Sequence, residues 1–259
     1  MPPSSKFILA VSGLGNATGT GAAVARLFAS QLGYRVALIS RPRKEVDDLR
    51  DEIERAGGTA AVFGLERYDY ESVGTVFDRV QAHWPDGRLK CAVWNTAQWS
   101  NIPFMNITQH NINLSVNTNI VAATAFSQAA VKAFTAPGNE EDKGGSLIMT
   151  GATSAWRGKE AFGAFAAGKH GLRALSQSIA REYGKEGVHV AFVVIDGTIL
   201  TTRTQKVFGN REGKEVNWLN DEKQRLSPES IAKCYLYLHQ QGPDAWTLEM
   251  DLRPAKEHF

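Results

Sequence analysis

The chain has 259 residues, 43% hydrophobic and 22% charged, with a net charge of +2. That is enough for a sizeable buried core, and too near neutral for nucleic acid or an anionic membrane to be the main partner. No apolar run reaches spanning length and Met1–Lys6 lacks a signal-peptide core, so a cytoplasmic protein is expected.

Phe7–Val11 is an apolar run of strand length, followed by the glycine-rich stretch Leu14–Gly21 (LGNATGTG) and then by apolar residues at helical spacing over 22–29. Arg35–Ser40 is a second strand, and 43–56 a charged amphipathic helix closed by Gly57 and Gly58. Thr59–Leu65 is a third strand, and 69–84 a helix with Val73, Val76, Phe77 and Val80 on one face. Lys90–Asn95 is the fourth strand. Asn113–Phe134 is a long helix rich in small residues, and 137–145 an exposed loop whose acidic run, Glu140–Asp142, is solvated. Ser146–Thr150 is a strand, Phe165–Gly184 a second long helix, and Val188–Ile195 a nearly continuous apolar strand buried on both faces. The stretch around 198–226 is polar with isolated apolar residues and reads as a substrate-side lid. Ser227-Pro228 opens a last helix as N-cap and first residue, and 246–252 is a final strand. Strands and helices alternate throughout with no linker. The expected fold is therefore α/β, a Rossmann-like doubly wound parallel sheet of about seven strands with helices on both faces, forming one nucleotide-binding domain over 1–259. Cys91 and Cys234 lie in apolar elements without a metal-ligating pattern, so free thiols and no metal are expected. Three Asn-x-Ser/Thr triplets, at Asn16, Asn106 and Asn113, read as chance, since one falls inside the glycine stretch.

Glycines on a strand-to-helix turn let backbone N–H groups approach a pyrophosphate at a helix N-terminus, where the dipole favours an anion. Gly13, Gly15, Asn16, Gly19 and Gly21 are the candidates. An Asp or Glu at the end of the second strand would bind two ribose hydroxyls. Here Arg41 and Arg43 stand there instead and suit a 2′-phosphate, so NADP is expected over NAD.

With these elements in place the chain resembles a short-chain dehydrogenase/reductase over nearly its whole length. The loop spacing Gly-x-x-x-Gly-x-Gly is met by Gly15, Gly19 and Gly21, and the Asn-Asn-Ala-Gly after the fourth strand is half met by Trp94-Asn95-Thr96-Ala97. The resemblance implies a helix-borne catalytic Asn at Asn117, an acidic residue beside the adenine near Glu66 or Asp69, and Asp196-Gly197 in place of a Pro-Gly that frames the nicotinamide with Asn95. It also implies a Tyr-x-x-x-Lys motif, which here reads Phe165-Ala166-Ala167-Gly168-Lys169, and a serine at the position of Ala152. The lysine, implied to hold the nicotinamide ribose, remains; the two hydroxyls are gone. A positioned acid is worth about 10²–10⁴-fold in rate. A reduction here needs another donor, Thr153, Ser154, Lys169 or water, or a substrate that needs little acid catalysis.

Trp156, Arg157, Lys159 and Phe162 precede the Phe165 helix, and Trp94 and Trp99 flank the fourth-strand loop. They read either as core packing or as an aromatic, partly cationic pocket for a bulky, unsaturated or acidic small molecule. His170 reads as structural, and Asp196 either as an acid/base group or as a turn cap. The two long helices match those of the family's dimer interface, with Ala122, Ala123, Ala125, Ala129 and Ala130 permitting close approach, so a homodimer or homotetramer is expected. Three functions stay open: an NADPH-dependent reductase of a bulky carbonyl, imine or enone with an atypical proton donor; a non-redox isomerase, dehydratase or cyclase of a biosynthetic intermediate; and a catalytically silent NADP(H)-binding protein.

Overall fold

Strand β1 (Phe7–Ser12) sends Ile8 and Ala10 into one core and Leu9 and Val11 into another, as period-two alternation requires of a strand covered on both faces. In the computed structural model it lies inside a seven-stranded sheet with the order β3-β2-β1-β4-β5-β6-β7. The other strands are β2 (Arg35–Ser40), β3 (Thr59–Gly64), β4 (Arg88–Trp94), β5 (Gly145–Thr150), β6 (Val188–Ile195) and β7 (Glu249–Leu252), and every pairing is parallel. The structure describes residues 5–137, 143–208 and 217–256. The acidic run Glu140–Asp142 and part of the expected lid lie outside them.

One sheet face is covered by α1 (Thr20–Leu32), α2 (Lys44–Arg55) and α9 (Pro228–His239). The other carries α3 (Tyr70–Gly74), α4 (Val76–His83), α6 (Ala122–Phe134) and α7 (Gly163–Tyr183). The chain winds one way through β1-β2-β3 and the other through β4 to β7. The strand order therefore reverses between β1 and β4, the place where such sheets leave a crevice at their carboxyl ends.

Several boundaries differ from the sequence expectation. The helix expected over 69–84 is interrupted at Thr75, whose hydroxyl bonds back to the carbonyls of Glu71 and Ser72. The helix expected from Asn113 begins at Gln109 as α5 (Gln109–Val116), where Thr108 and Asn111 form a reciprocal cap. It then passes through one π turn, Asn117–Val121, into α6. Ala122, Ala123, Ala125 and Ala130 are buried in the chain's own core, so they seat α6 on the sheet and are not available to a partner subunit. Ser227 caps α9 as expected, accepting from Ser230 N–H. Cys91 is buried, Cys234 half-buried, and both are free thiols. Among the described residues no helix is long and apolar enough to cross a membrane.

At the amino ends of the strands, Tyr34 Oη lies 2.9 Å from His239 Nε2, and His239 Nδ1 lies 3.0 Å from Ser146 Oγ. Burial, with Lys90 and His189 adding to it, holds His239 down to about 4. The unfolded chain therefore takes up this proton first as pH falls below about 6.5. Stability from this group is complete above that value and is lost as pH falls toward 4, to a total of about 3 kcal/mol. Urea unfolding at pH 7.5 and pH 4.5 should show the loss, and His239→Gln should remove most of that acid sensitivity.

Candidate active site

The crevice is built from β1 outward. Gly13 has φ +88°, and a Cβ there would lie 2.4 Å from the backbone of Asn95 and Thr96. Only glycine lets the turn after β1 pass so close to the end of β4. The contact is bonded as well as tight. Asn95 Nδ2 donates to the Gly13 carbonyl at 2.6 Å, and the hydroxyls of Ser12 and Thr96 meet at 2.6 Å. A Cβ at Gly21 would lie 2.8 Å from the Gly13 carbonyl oxygen, so the same turn lets α1 start against the sheet. Gly19, the residue before α1, offers no side-chain cap, and the first turn has no acidic residue. The amide end of α1 is thus left for an anion from outside.

These residues line a crevice of about 780 Å³, with Gly13, Gly15, Asn16 and Gly19 on its floor and Ser40, Arg41 and Arg43 on one rim. Asn95, Thr96, Ala97 and Trp99 form the opposite side, and Thr201, Arg203 and Lys206 close it from above. The volume suits a cofactor-sized ligand. Arg41 also lies 6.0 Å over the Tyr68 ring, another lining residue. The expected acidic residues are not at this rim. Glu66 is exposed and outside the lining, and Asp69 is used as the N-cap of α3, accepting from Ser72 N–H at 2.8 Å. The tie between floor and roof was not foreseen. Asn16 Nδ2 and Thr18 Oγ1 both meet Thr202 Oγ1 at the start of α8 (Thr202–Phe208), the described part of the expected lid.

The remainder of the expected site gathers where β5 and β6 end. Lys169 is 2% exposed, which excludes an ordinary solvated helix lysine. Its Nζ donates to the Thr150 carbonyl at 2.8 Å and lies 5.9 Å from the Phe165 ring centre. Burial pushes its pKa down to about 7, because no carboxylate among the described residues pairs with it. Phe165 is buried beside it, and Ser154 is buried too. Thr153 donates its hydroxyl proton to Asp196 Oδ1. The other Asp196 oxygen is ion-paired with Arg253 at 3.2 Å and Arg157 at 3.9 Å, outside hydrogen-bond geometry. Asp196 is therefore committed to its neighbours, while Gly197 follows it with φ 154°.

Four expected positions move. Asn117 is exposed. The buried amide in this helix is Asn119, whose Nδ2 donates to the Ser115 carbonyl at 3.0 Å and whose Oδ1 has no partner. A Cβ at Gly168 would lie 2.8 Å from Asn119 Nδ2, so that glycine is what lets α7 approach. Trp94 is a core residue between Tyr68 and Phe126. Trp156 turns to the far edge of the sheet, where Nε1 donates to Glu249 at 2.9 Å and Arg253 lies over its ring at 5.8 Å. Arg157 turns toward Asp196. Of the expected pocket, Trp99, Phe162 and Phe165 remain together, with ring centres 6.0 and 6.4 Å apart in succession.

A family model described as enoyl-(acyl carrier protein) reductase matches residues 13–248. The chain belongs to the short-chain dehydrogenase/reductase family of oxidoreductases. A mouse 3-oxoacyl-[acyl-carrier-protein] reductase is 28% identical over 192 residues, 74% of this chain and 75% of the relative. A solved short-chain dehydrogenase from Rhodopseudomonas palustris superposes with a TM-score of 0.77 at 28% identity, covering 96% of this chain and 99% of the other. A short-chain dehydrogenase from Burkholderia cenocepacia, solved in complex with NADP, has the same fold with a TM-score of 0.79 at 21% identity, covering 96% and 97% of the two chains. In the segment Phe165-Ala166-Ala167-Gly168-Lys169 of this chain, Lys169 faces a ring without a hydroxyl.

Proposed function

We propose that this protein is an NADP(H)-dependent oxidoreductase that reduces a bulky carbonyl, imine or enone. The observation that carries the reading is the glycine cradle at the β1/β4 reversal, where Gly13 meets the Asn95 backbone, opening into a crevice rimmed by Arg41 and Arg43. The residues present fit a phosphorylated dinucleotide. The α1 amide end and the glycine floor suit a pyrophosphate, and two exposed guanidinium groups suit a further phosphate on the ribose. When bound, a nicotinamide dinucleotide supplies or accepts a hydride. The α8 segment, tied to Asn16 and Thr18 through Thr202, acts as a lid that keeps water from the crevice.

Lys169 is our choice for the proton source. It is buried, its pKa of about 7 lets it hold and release a proton near neutrality, and the Thr150 carbonyl fixes its position. The Phe165 ring holds apolar space against its ammonium. Asn119, with one buried amide oxygen lacking a partner, is suited to hold a water that resupplies that proton. Thr153 is spoken for by Asp196, which makes it a poorer donor. The outward faces of α5 and α7 would form a homodimer or homotetramer.

The test is cofactor titration and NADPH oxidation against a panel of carbonyl compounds and enones. NADPH should bind more tightly than NADH by about 10-fold or more, each phosphate–arginine contact being worth roughly 1.5–3 kcal/mol. Arg41→Gln with Arg43→Gln should erase that preference and leave NADH affinity nearly unchanged. Absence of binding by either dinucleotide would overturn the reading.

A further inference from the structure

The aromatic residues Trp99, Phe162 and Phe165 form a continuous row of rings from the surface to the buried Lys169. The row begins in the open, for Trp99 is 44% exposed. Two loops are bolted together to make it. Ile102 N–H donates to the Ala161 carbonyl at 2.6 Å, and a Cβ at Gly163 would lie 3.3 Å from Ile107 Cδ1. On the outer side stands a lip of two bare apolar side chains, Phe104 at 79% and Met105 at 88% exposure. Neighbouring apolar side chains this open are not what a solvent-facing turn calls for, and they adjoin the row. Charge is asymmetric at the same mouth. Arg203 lies 5.8 Å over the Trp99 ring, Lys206 lines the crevice beside it, and no carboxylate among the described residues pairs with either.

We propose that the substrate is a flat, ring-bearing carbonyl compound that carries an anionic group. Its ring system stacks on Trp99 and meets Phe162 edge to face, its apolar edge rests on Phe104 and Met105, and its anion pairs with Arg203. The flatness follows from Trp99, whose exposed ring offers a stacking face to a planar partner while Phe162 stands at 78° to it. The anion follows from an arginine already held over a ring, with most of its ordering cost met before the ligand arrives. The inference rests on the reading of the crevice as a cofactor-and-substrate site, and it names the occupant of that site's outer half.

The test uses a probe that cannot react. Binding of 2-naphthoate and of its neutral isostere 2-naphthamide is measured by titration calorimetry on the NADP⁺-loaded protein. 2-Naphthoate should bind at least about 10-fold more tightly than the amide, as one charge-assisted contact implies. Arg203→Gln should remove that difference and leave amide binding within about 3-fold, while Trp99→Ala should weaken both ligands by about 10-fold. A paired Phe104→Ser, Met105→Ser variant should weaken both by a few-fold with no change in oligomeric state. All three changes are at exposed positions, and a thermal melt with NADP⁺ titration confirms that fold and cofactor site are intact. Equal binding of acid and amide, or indifference to Arg203→Gln and Trp99→Ala, overturns the proposal. So does a change of oligomeric state in the lip variant with naphthoate affinity untouched, because the lip then covers a second copy. Oxidation of NADPH by propanal without naphthoate binding overturns the substrate class alone. Naphthoate binding without any NADP(H) binding overturns the redox reading instead.

Discussion

Replacing Lys169 by methionine is expected to cut turnover by about 10²–10⁴-fold and, at the same time, to raise the melting temperature. The two effects have one cause. The ammonium is buried without a carboxylate, and burial pulls its pKa from 10.5 down to about 7. In the unfolded chain the group keeps its proton up to about 10.5. Between those values unfolding takes up a proton, so stability rises with pH, and at pH 7 the folded state carries most of a penalty of about 5 kcal/mol. Methionine has similar length and no charge. It removes the penalty and leaves the Thr150 carbonyl without its donor, which costs about 1–3 kcal/mol. The net gain is about 2 kcal/mol, or roughly 4–8 °C in a domain of this size. A melt and an NADPH oxidation assay on the same preparation check both halves. A lower melting temperature would show that the lysine is held by more than the Thr150 carbonyl. Phe165→Tyr is the opposite arm: it adds a phenol near the same ammonium and should raise turnover if Lys169 lies at the proton-transfer position.

The second large effect is expected at Gly13. Gly13→Ala drives a methyl group to 2.4 Å from the Asn95 carbonyl carbon and the Thr96 nitrogen, at a φ of +88°. Neither backbone can move without breaking the β1–β4 register, in which Ser12 pairs with Trp94. Strain and overlap together should cost about 3–5 kcal/mol, a large part of a typical folding free energy. Gly15→Ala is the control. Its φ is +59°, but a Cβ there meets nothing within 4 Å, so it should cost only about 1–2 kcal/mol and leave the fold in place. Urea unfolding and NADP⁺ titration of the two variants separate the cases. Equal stabilities would mean that the close approach at Gly13 is not what holds the crevice in shape.

What could be read from the sequence was whatever repeats along the chain. The alternation of apolar strands with amphipathic helices gave the parallel sheet, and the glycines between β1 and α1 marked the crevice floor, because both signals are local. The failures share the opposite property. Asn117 and Asn119 stand two residues apart on one helix, and only the position of α7, admitted by Gly168, decides which is buried. Trp156 and Arg157 stand beside the Phe165 helix in sequence, yet Glu249 draws Trp156 to the far edge of the sheet and Asp196 holds Arg157 at the end of β6. Arg203 and Lys206 looked like ordinary charges in a polar segment. The hydrogen bonds from Thr202 to the glycine stretch bring them over the crevice, and no period or spacing announces such a contact between residues so distant along the chain.

The ion pair between Asp196 and Arg253 has a consequence for the order in which the molecule matures. Arg253 follows β7, which leaves the ribosome after the other six strands of the sheet, whereas Asp196 and the turn it fixes through Thr153 are made earlier. Until that arginine arrives, Asp196 has only the more distant, solvent-facing Arg157 to offset its charge, and the turn after β5 lacks its final anchor. A nascent chain can thus close its nucleotide half first and finish the half that would do chemistry only once Arg253 has emerged.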